Sequence, residues 1–284
     1  MKHLLAFVRL IGLIVLFTMT SILVVMGRLF GKQMAHIMLR FGVFCKAKLL
    51  GIRTRIIGQS EKGAQLILIN HPSYLDIMFL NFIKHPTSLL AAKNFKRWPI
   101  VGWLGHAINV IWVKRHDRNA GKQVLLDAAN RFKKGLSLMT SPEGRTSGTH
   151  DIYPIKPGLF YLAQNANVPV TFMCLKYLND EVPYFHSLKS GFLPHFLKHF
   201  WKVLGQWKID SELIFSKPQF FSDAKQGMQA FYDFQKEHLG DLLHFEVPVK
   251  EEFIGEALTR LDGTLLSFQA ESKEELLAYV SLEK

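Results

Sequence analysis

Apolar positions along this chain fall first in one long block and then in short runs that end on polar loops. Residues Leu10 to Gly27 carry no charge, with Lys2 and Arg9 on one side and Arg28 and Lys32 on the other. A helix over those 18 residues rises about 27 Å, just under a hydrocarbon core of about 30 Å. No small-x-small cleavage pattern follows it, so the block reads as an uncleaved membrane anchor. The flanking charges are too even to set its orientation or to tell a spanning helix from a re-entrant one. From Arg28 to Leu50 apolar residues are broken by Lys32, Arg40, Lys46 and Lys48, a mixture that suits a helix lying among lipid headgroups.

Beyond residue 50 the period changes. Leu66–Ile69, Leu89–Ala92, Val110–Val113, Leu136–Met139 and Val168–Met173 are short apolar runs that read as strands. Between them, helices are predicted from Pro72 to about Ile83, from Lys122 to Lys134 and from Pro157 to Gln164, with a helical or looped stretch over 98–106. Alternation of this kind predicts an α/β fold. After Tyr177 the pattern loosens: Phe185–Lys208 is rich in Phe, Trp, His and Lys, a covering for an apolar channel or a membrane contact. A late strand is expected at Leu213–Ser216, a helix over Asp223–Leu243 and a last helix near Lys273–Val280.

Composition sharpens this picture. The hydrophobic fraction is 49% and the mean hydropathy +0.11, high for a wholly soluble chain of 284 residues. The net charge is +12, but the segment from Lys250 holds 8 acidic against 4 basic residues, a net −4 that leaves +16 upstream. With no helix-turn-helix, zinc knuckle or aromatic RNA-binding block, nucleic acid is not the expected partner. Beside a membrane anchor, anionic lipids are. Cys45 and Cys174 have no ligand-like spacing, so neither a metal nor a disulfide is expected. Free thiols suit a reducing compartment, with the catalytic part facing the cytoplasm.

Two polar clusters carry the candidate chemistry. Asn70-His71-Pro72-Ser73-Tyr74-Leu75-Asp76 follows the first apolar run. Within one helix, residues five apart point roughly 140° away from each other. With His71 before the helix start, its ring can fold back so that Asp76 orients one imidazole nitrogen while the other serves as a base. The second cluster, Ser141-Pro142-Glu143-Gly144-Arg145-Thr146-Ser147-Gly148, follows another apolar run. Glycines permit close backbone approach, and a guanidinium can grip a phosphate. In open α/β sheets ligands bind beyond the carboxyl ends of strands, so the two clusters point to one shared site.

These blocks resemble those of the glycerolipid acyltransferase family, the 1-acylglycerol-3-phosphate acyltransferases and their relatives, with a His-x4-Asp and a Pro-Glu-Gly block. The likeness runs from about Leu66 to Tyr177. Ile108–Arg115 resembles the family's second block, Val168-Pro169-Val170 its fourth, and Lys93 and Lys156-Pro157-Gly158 fit as well. Two departures stand out: Arg145 and Thr146 are transposed relative to the usual Glu-Gly-Thr-Arg, and Asn109 and Trp112 replace the common residues of the second block. They leave the acceptor's head group open.

The resemblance implies a mixed sheet flanked by helices behind an N-terminal membrane-associated helical hairpin. Its division would be residues 1–50 as anchor, 51–245 as acyltransferase domain and 246–284 as an acidic extension without assigned role. It implies transfer of a fatty acyl group from acyl-CoA or acyl-carrier protein to a lyso-lipid hydroxyl, without metal or cofactor. His71 would be the base and Asp76 its orienting partner. Glu143 and Gly144 would contact the acceptor, Arg115, Lys93 and Arg145 would neutralise an anionic head, and Asn70 or a helix-start N–H would face the oxyanion. Acylation of 1-acylglycerol-3-phosphate leads, with another lyso-lipid or phospholipid transacylation behind it. An esterase would need a Gly-x-Ser-x-Gly elbow, which is missing. A silent lipid binder should have lost His71, Asp76 or Glu143, and all three are present.

Overall fold

The computed structural model describes residues 1–97, 99–113, 118–144, 146–150, 152, 155, 157–184, 192–242, 258–259 and 265–266. The chain begins with two helices, α1 (Lys2–Leu29) and α2 (Lys32–Leu49), and Gly31 turns between them at φ +107°. Of the described helices, α1 alone is long and apolar enough to cross a membrane, and little of its apolar window is buried. Ile11, Ile14, Val15, Met19, Ile22 and Val25 are all exposed along it.

Seven strands then build one sheet: β1 (Ile52–Ile57), β2 (Leu66–Ile69), β3 (Thr87–Ala92), β4 (Ile111–Val113), β5 (Ser137–Thr140), β6 (Val170–Tyr177) and β7 (Ile209–Phe215). Their spatial order is β1-β7-β6-β2-β5-β3-β4. All pairs are parallel except β6 with β7, so the sheet is mixed. The helices that follow are α3 (Pro99–Ala107), α4 (Arg118–Lys133), α5 (Gly158–Ala166), α6 (Phe192–Leu204) and α7 (Ala224–Leu239).

Alternate strand residues feed two cores, as a period of two requires. Ile67, Ile69, Met173, Leu175 and Leu213 pack with residues of α1, α2 and the end of α6. Leu66, Leu68, Leu138 and Phe172 pack with α4, α5 and α7 on the other face. Because both faces are covered, β2 is an unbroken apolar run and its neighbours β5 and β6 are mostly apolar, which makes them legible in the sequence.

The expected strands are present, from identical bounds at Leu66–Ile69 to ends displaced by up to four residues. The segment after Pro72 differs: a 3-10 helix covers Tyr74–Phe82, and Ser73 rather than Pro72 stands at its cap. Elements without a predicted counterpart include β1 and the helix α6 within the aromatic stretch. Arg115, Arg145, Lys156 and the tail helix near Lys273–Val280 lie outside the described residues.

Candidate active site

The central strand β2 runs between β6 and β5, and the carboxyl ends of all three meet. His71 leaves β2 at Ile69, Glu143 sits just past the end of β5, and β6 overshoots its pairing with β2 at Met173 to finish at Tyr177.

Ser73 and Asp76 form a capping box. Ser73 N–H donates to Asp76 Oδ2 at 3.2 Å, which draws the carboxylate back toward the start of the helix. There the same oxygen meets His71 Nδ1 at 2.6 Å. Nε2 lies across the ring from this contact. The His71 side chain is 31% exposed and that of Asp76 is 3% exposed. One member of the pair thus reaches outward and the other is embedded.

Asp76 has a third donor that sequence reading missed. Tyr177 Oη donates to Asp76 Oδ1 at 2.8 Å, across 101 residues of chain. Burial, and then the Asp76 charge, push the Tyr177 phenol well above its ordinary value, so it remains a donor. Burial also raises the Asp76 carboxyl, while bonds from His71, Tyr177 and Ser73 pull it back down. The signal for Tyr177 is a phenol just past the apolar run Phe172–Leu175, where a buried hydroxyl must find a partner.

The second loop is stitched to the first. Glu143 Oε1 accepts the backbone N–H of His71 at 3.2 Å, and Ser147 N–H donates to the His71 carbonyl at 2.8 Å. His150 Nε2 accepts the N–H of Tyr177 at 3.0 Å. Gly144 turns this loop at φ +74°, a region costly for any side chain. Thr146 is buried, and its hydroxyl finds no hydrogen-bond partner among the described residues.

The structure brings His71, Asp76, Asn70 and Glu143 together. Glu143, expected to face the acceptor, is buried and braces the backbone of His71. Asn70, a candidate for the oxyanion, ties both its amide groups to Leu175, with Nδ2 donating to the carbonyl at 2.9 Å and Oδ1 accepting the N–H at 2.8 Å. It joins the ends of β2 and β6. Lys93 is exposed just after β3, two strands from β2 and so roughly 10 Å away by strand spacing. Among the described residues no cluster of His, Cys, Asp or Glu is arranged to hold a metal ion.

Residues 52–176 match the acyltransferase family model. The chain is 28% identical over 115 residues to a 1-acyl-sn-glycerol-3-phosphate acyltransferase of Neisseria gonorrhoeae, covering 40% of this chain and 45% of that protein. It is 31% identical over 119 residues to a lyso-ornithine lipid O-acyltransferase of Rhizobium meliloti, covering 42% and 40% respectively. The matches thus span less than half the length of these curated relatives. In fold, the chain is similar to the 1-acyl-sn-glycerophosphate acyltransferase of Thermotoga maritima, with a TM-score of 0.58 at 16% identity over 84% of this chain and 97% of that one. The segment similar to the acyltransferase family, residues 52–176, spans the sheet from β1 to β6 and encloses the joined His71 and Glu143 loops.

Proposed function

We propose that this protein transfers a fatty acyl group from a thioester, acyl-CoA or acyl-carrier protein, to the free hydroxyl of a lyso-lipid, with 1-acylglycerol-3-phosphate as the leading acceptor and phosphatidic acid as product. The observation that carries this reading is the 2.6 Å contact of His71 Nδ1 with a buried Asp76, on a loop hydrogen-bonded to the Glu143 loop. His71 Nε2 takes the acceptor's hydroxyl proton as the oxygen attacks the thioester carbonyl. The C–O bond forms, the tetrahedral intermediate collapses, the C–S bond breaks, and the proton passes from the imidazolium to the leaving thiolate. Asp76 keeps the ring oriented and stabilises its transient charge. A thioester is already activated, so no covalent enzyme intermediate is required.

Lys93, with Arg115 and Arg145, neutralises the acceptor's phosphate, and Glu143 acts through the backbone of His71. The apolar face of α1 holds the enzyme in a membrane, where a monoacylated lipid resides, with the catalytic domain on the cytoplasmic side. The similarity to lyso-ornithine lipid acyltransferases keeps a second acceptor in view. The orphaned Thr146 hydroxyl, beside the transposed Arg145, is a natural place for head-group choice.

Purified enzyme supplied with acyl-CoA or acyl-carrier-protein thioester and a panel of lyso-lipids tests this. Lysophosphatidic acid is expected to be acylated, and His71→Ala to lower the rate by roughly 10²–10⁴, the range of general-base help. Full activity in His71→Ala overturns the base assignment. Ester hydrolysis without an acceptor points instead to an esterase.

A further inference from the structure

Outside that site, a cavity of about 480 Å³ opens between α1 and α6. Lys2 and His3 of α1 line it with His195, Lys198 and Lys202 of α6, and the acidic residue in its lining is Glu181. That carboxylate is already answered: Lys202 Nζ lies 3.0 Å away and Gln206 Nε2 donates to it. Lys2 and Lys198 remain as a surplus of positive charge. The Trp201 indole N–H can only donate, so His3 Nδ1, 3.0 Å from it, accepts, and a neutral His3 ring carries its proton on Nε2. The cavity therefore presents donors, with its carboxylate already paired. Such a lining matches a ligand that only accepts hydrogen bonds and carries negative charge, which is the chemistry of a phosphate.

The surroundings select a lipid phosphate over a free one. From Lys2 and His3, α1 continues with Leu4, Phe7 and Val8 exposed at 69%, 53% and 54%. Leu197 of α6 and Trp207 beyond it are likewise exposed, at 51% and 62%. These apolar side chains lie close in sequence to the cavity's lining residues Lys2, His3, Lys198 and Gln206, on a surface that acyl chains could follow. We propose that this cavity binds the phosphate of an anionic glycerophospholipid headgroup, whose acyl chains lie along the start of α1.

The bound lipid is a resident partner, separate from the reacting acceptor. The cavity wall is also joined to the catalytic loop. Ser73 Oγ donates to the Val182 carbonyl at 2.8 Å, Tyr184 N–H donates to the Pro72 carbonyl at 2.9 Å, and Tyr74 Oη meets His199 Nδ1 at 3.1 Å. Lipid in the cavity therefore steadies the segment on which His71 and Asp76 stand.

Calorimetric titration of the full chain with dihexanoylphosphatidylglycerol, kept below its micelle concentration, tests the proposal without relying on the acyl-transfer reading. Wild type is expected to bind saturably, with inorganic phosphate at the same concentration failing to compete. Lys2→Glu/Lys198→Glu is expected to weaken binding about tenfold or more. Lys62→Glu/Lys225→Glu changes the charge equally at two other exposed sites and is expected to bind as wild type. Lys198→Met, milder and checked for fold by circular dichroism, should weaken binding in the same direction. The proposal fails if no saturable binding occurs, if both double variants lose affinity alike, or if inorganic phosphate competes as well as the lipid.

Discussion

Asp76 receives donors from three parts of the chain: Ser73 in its own cap, His71 before it, and Tyr177 from the far end of β6. A buried carboxylate depends on such partners, because removing one leaves charge uncompensated. Tyr177→Phe deletes one donor while keeping the ring that packs edge-on against Phe79 at 5.9 Å. The sign follows directly: the lost hydrogen bond had favoured the ionised carboxyl, so the Asp76 pKa rises further. The acid limb of the kcat/KM–pH profile is expected to move to higher pH, with kcat falling about tenfold. Tyr177→Leu should do the same and also lower stability. An unchanged profile in Tyr177→Phe would reduce this phenol to a packing role.

The helical hairpin depends on close approach at one glycine. A Cβ at Gly42 would stand 2.1 Å from Thr20 Oγ1 and 2.7 Å from its Cβ, so the α1–α2 contact cannot take even a methyl group without shifting. Gly42→Ala is expected to cost about 1–3 kcal/mol, read from denaturant unfolding. On the other side of α2, His36 Nε2 meets the Ile83 carbonyl at 3.0 Å. Burial chiefly lowers its pKa from 6.5 to about 4. The unfolded chain therefore takes up this proton first as pH falls. The stabilisation, about 3 kcal/mol, is complete above pH 6.5 and lost by about pH 4. Unfolding measured across that range should show the loss, and His36→Gln should flatten it. What sequence reading captured at this scale was local: apolar runs covered on both faces, and two motifs whose residues lie within eight positions. It missed β1, whose alternating Arg53 and Arg55 mark an edge strand, and whose partner β7 lies 157 residues away. Tyr177 escaped for the same reason, since its role exists only once β6 lies beside β2. The contacts of Asn70 with the Leu175 backbone and of Glu143 with the His71 N–H are not legible in the sequence, because spacing along a chain does not say which neighbour a side chain will satisfy.

Over the whole molecule, apolar surface is concentrated on α1, whose exposed stripe runs from Leu4 to Met26. A soluble chain would rarely leave so large a contiguous patch uncovered. Ile14→Glu combined with Ile22→Glu places two charges on that face, at residues 59% and 55% exposed. The double variant is expected to leave the membrane pellet for the supernatant in vesicle sedimentation, with the sheet and its two cores undisturbed. Retention in the pellet would assign attachment to α2 or the catalytic body instead.

Arg9 sets how α1 meets the rest of the protein. Its buried guanidinium donates to the carbonyls of Leu204, Gln206 and Trp207, where α6 ends. The first turns of α1 are therefore bolted to the end of α6, unlike a leash free to swivel. With α1 in a membrane, as proposed, depth of immersion and height of the His71 loop above the lipid would be set together, as on a rigid gauge. Lengthening or shortening α1 beyond Arg9 would move that loop relative to the lipid surface, without altering a single atom of His71 or Asp76.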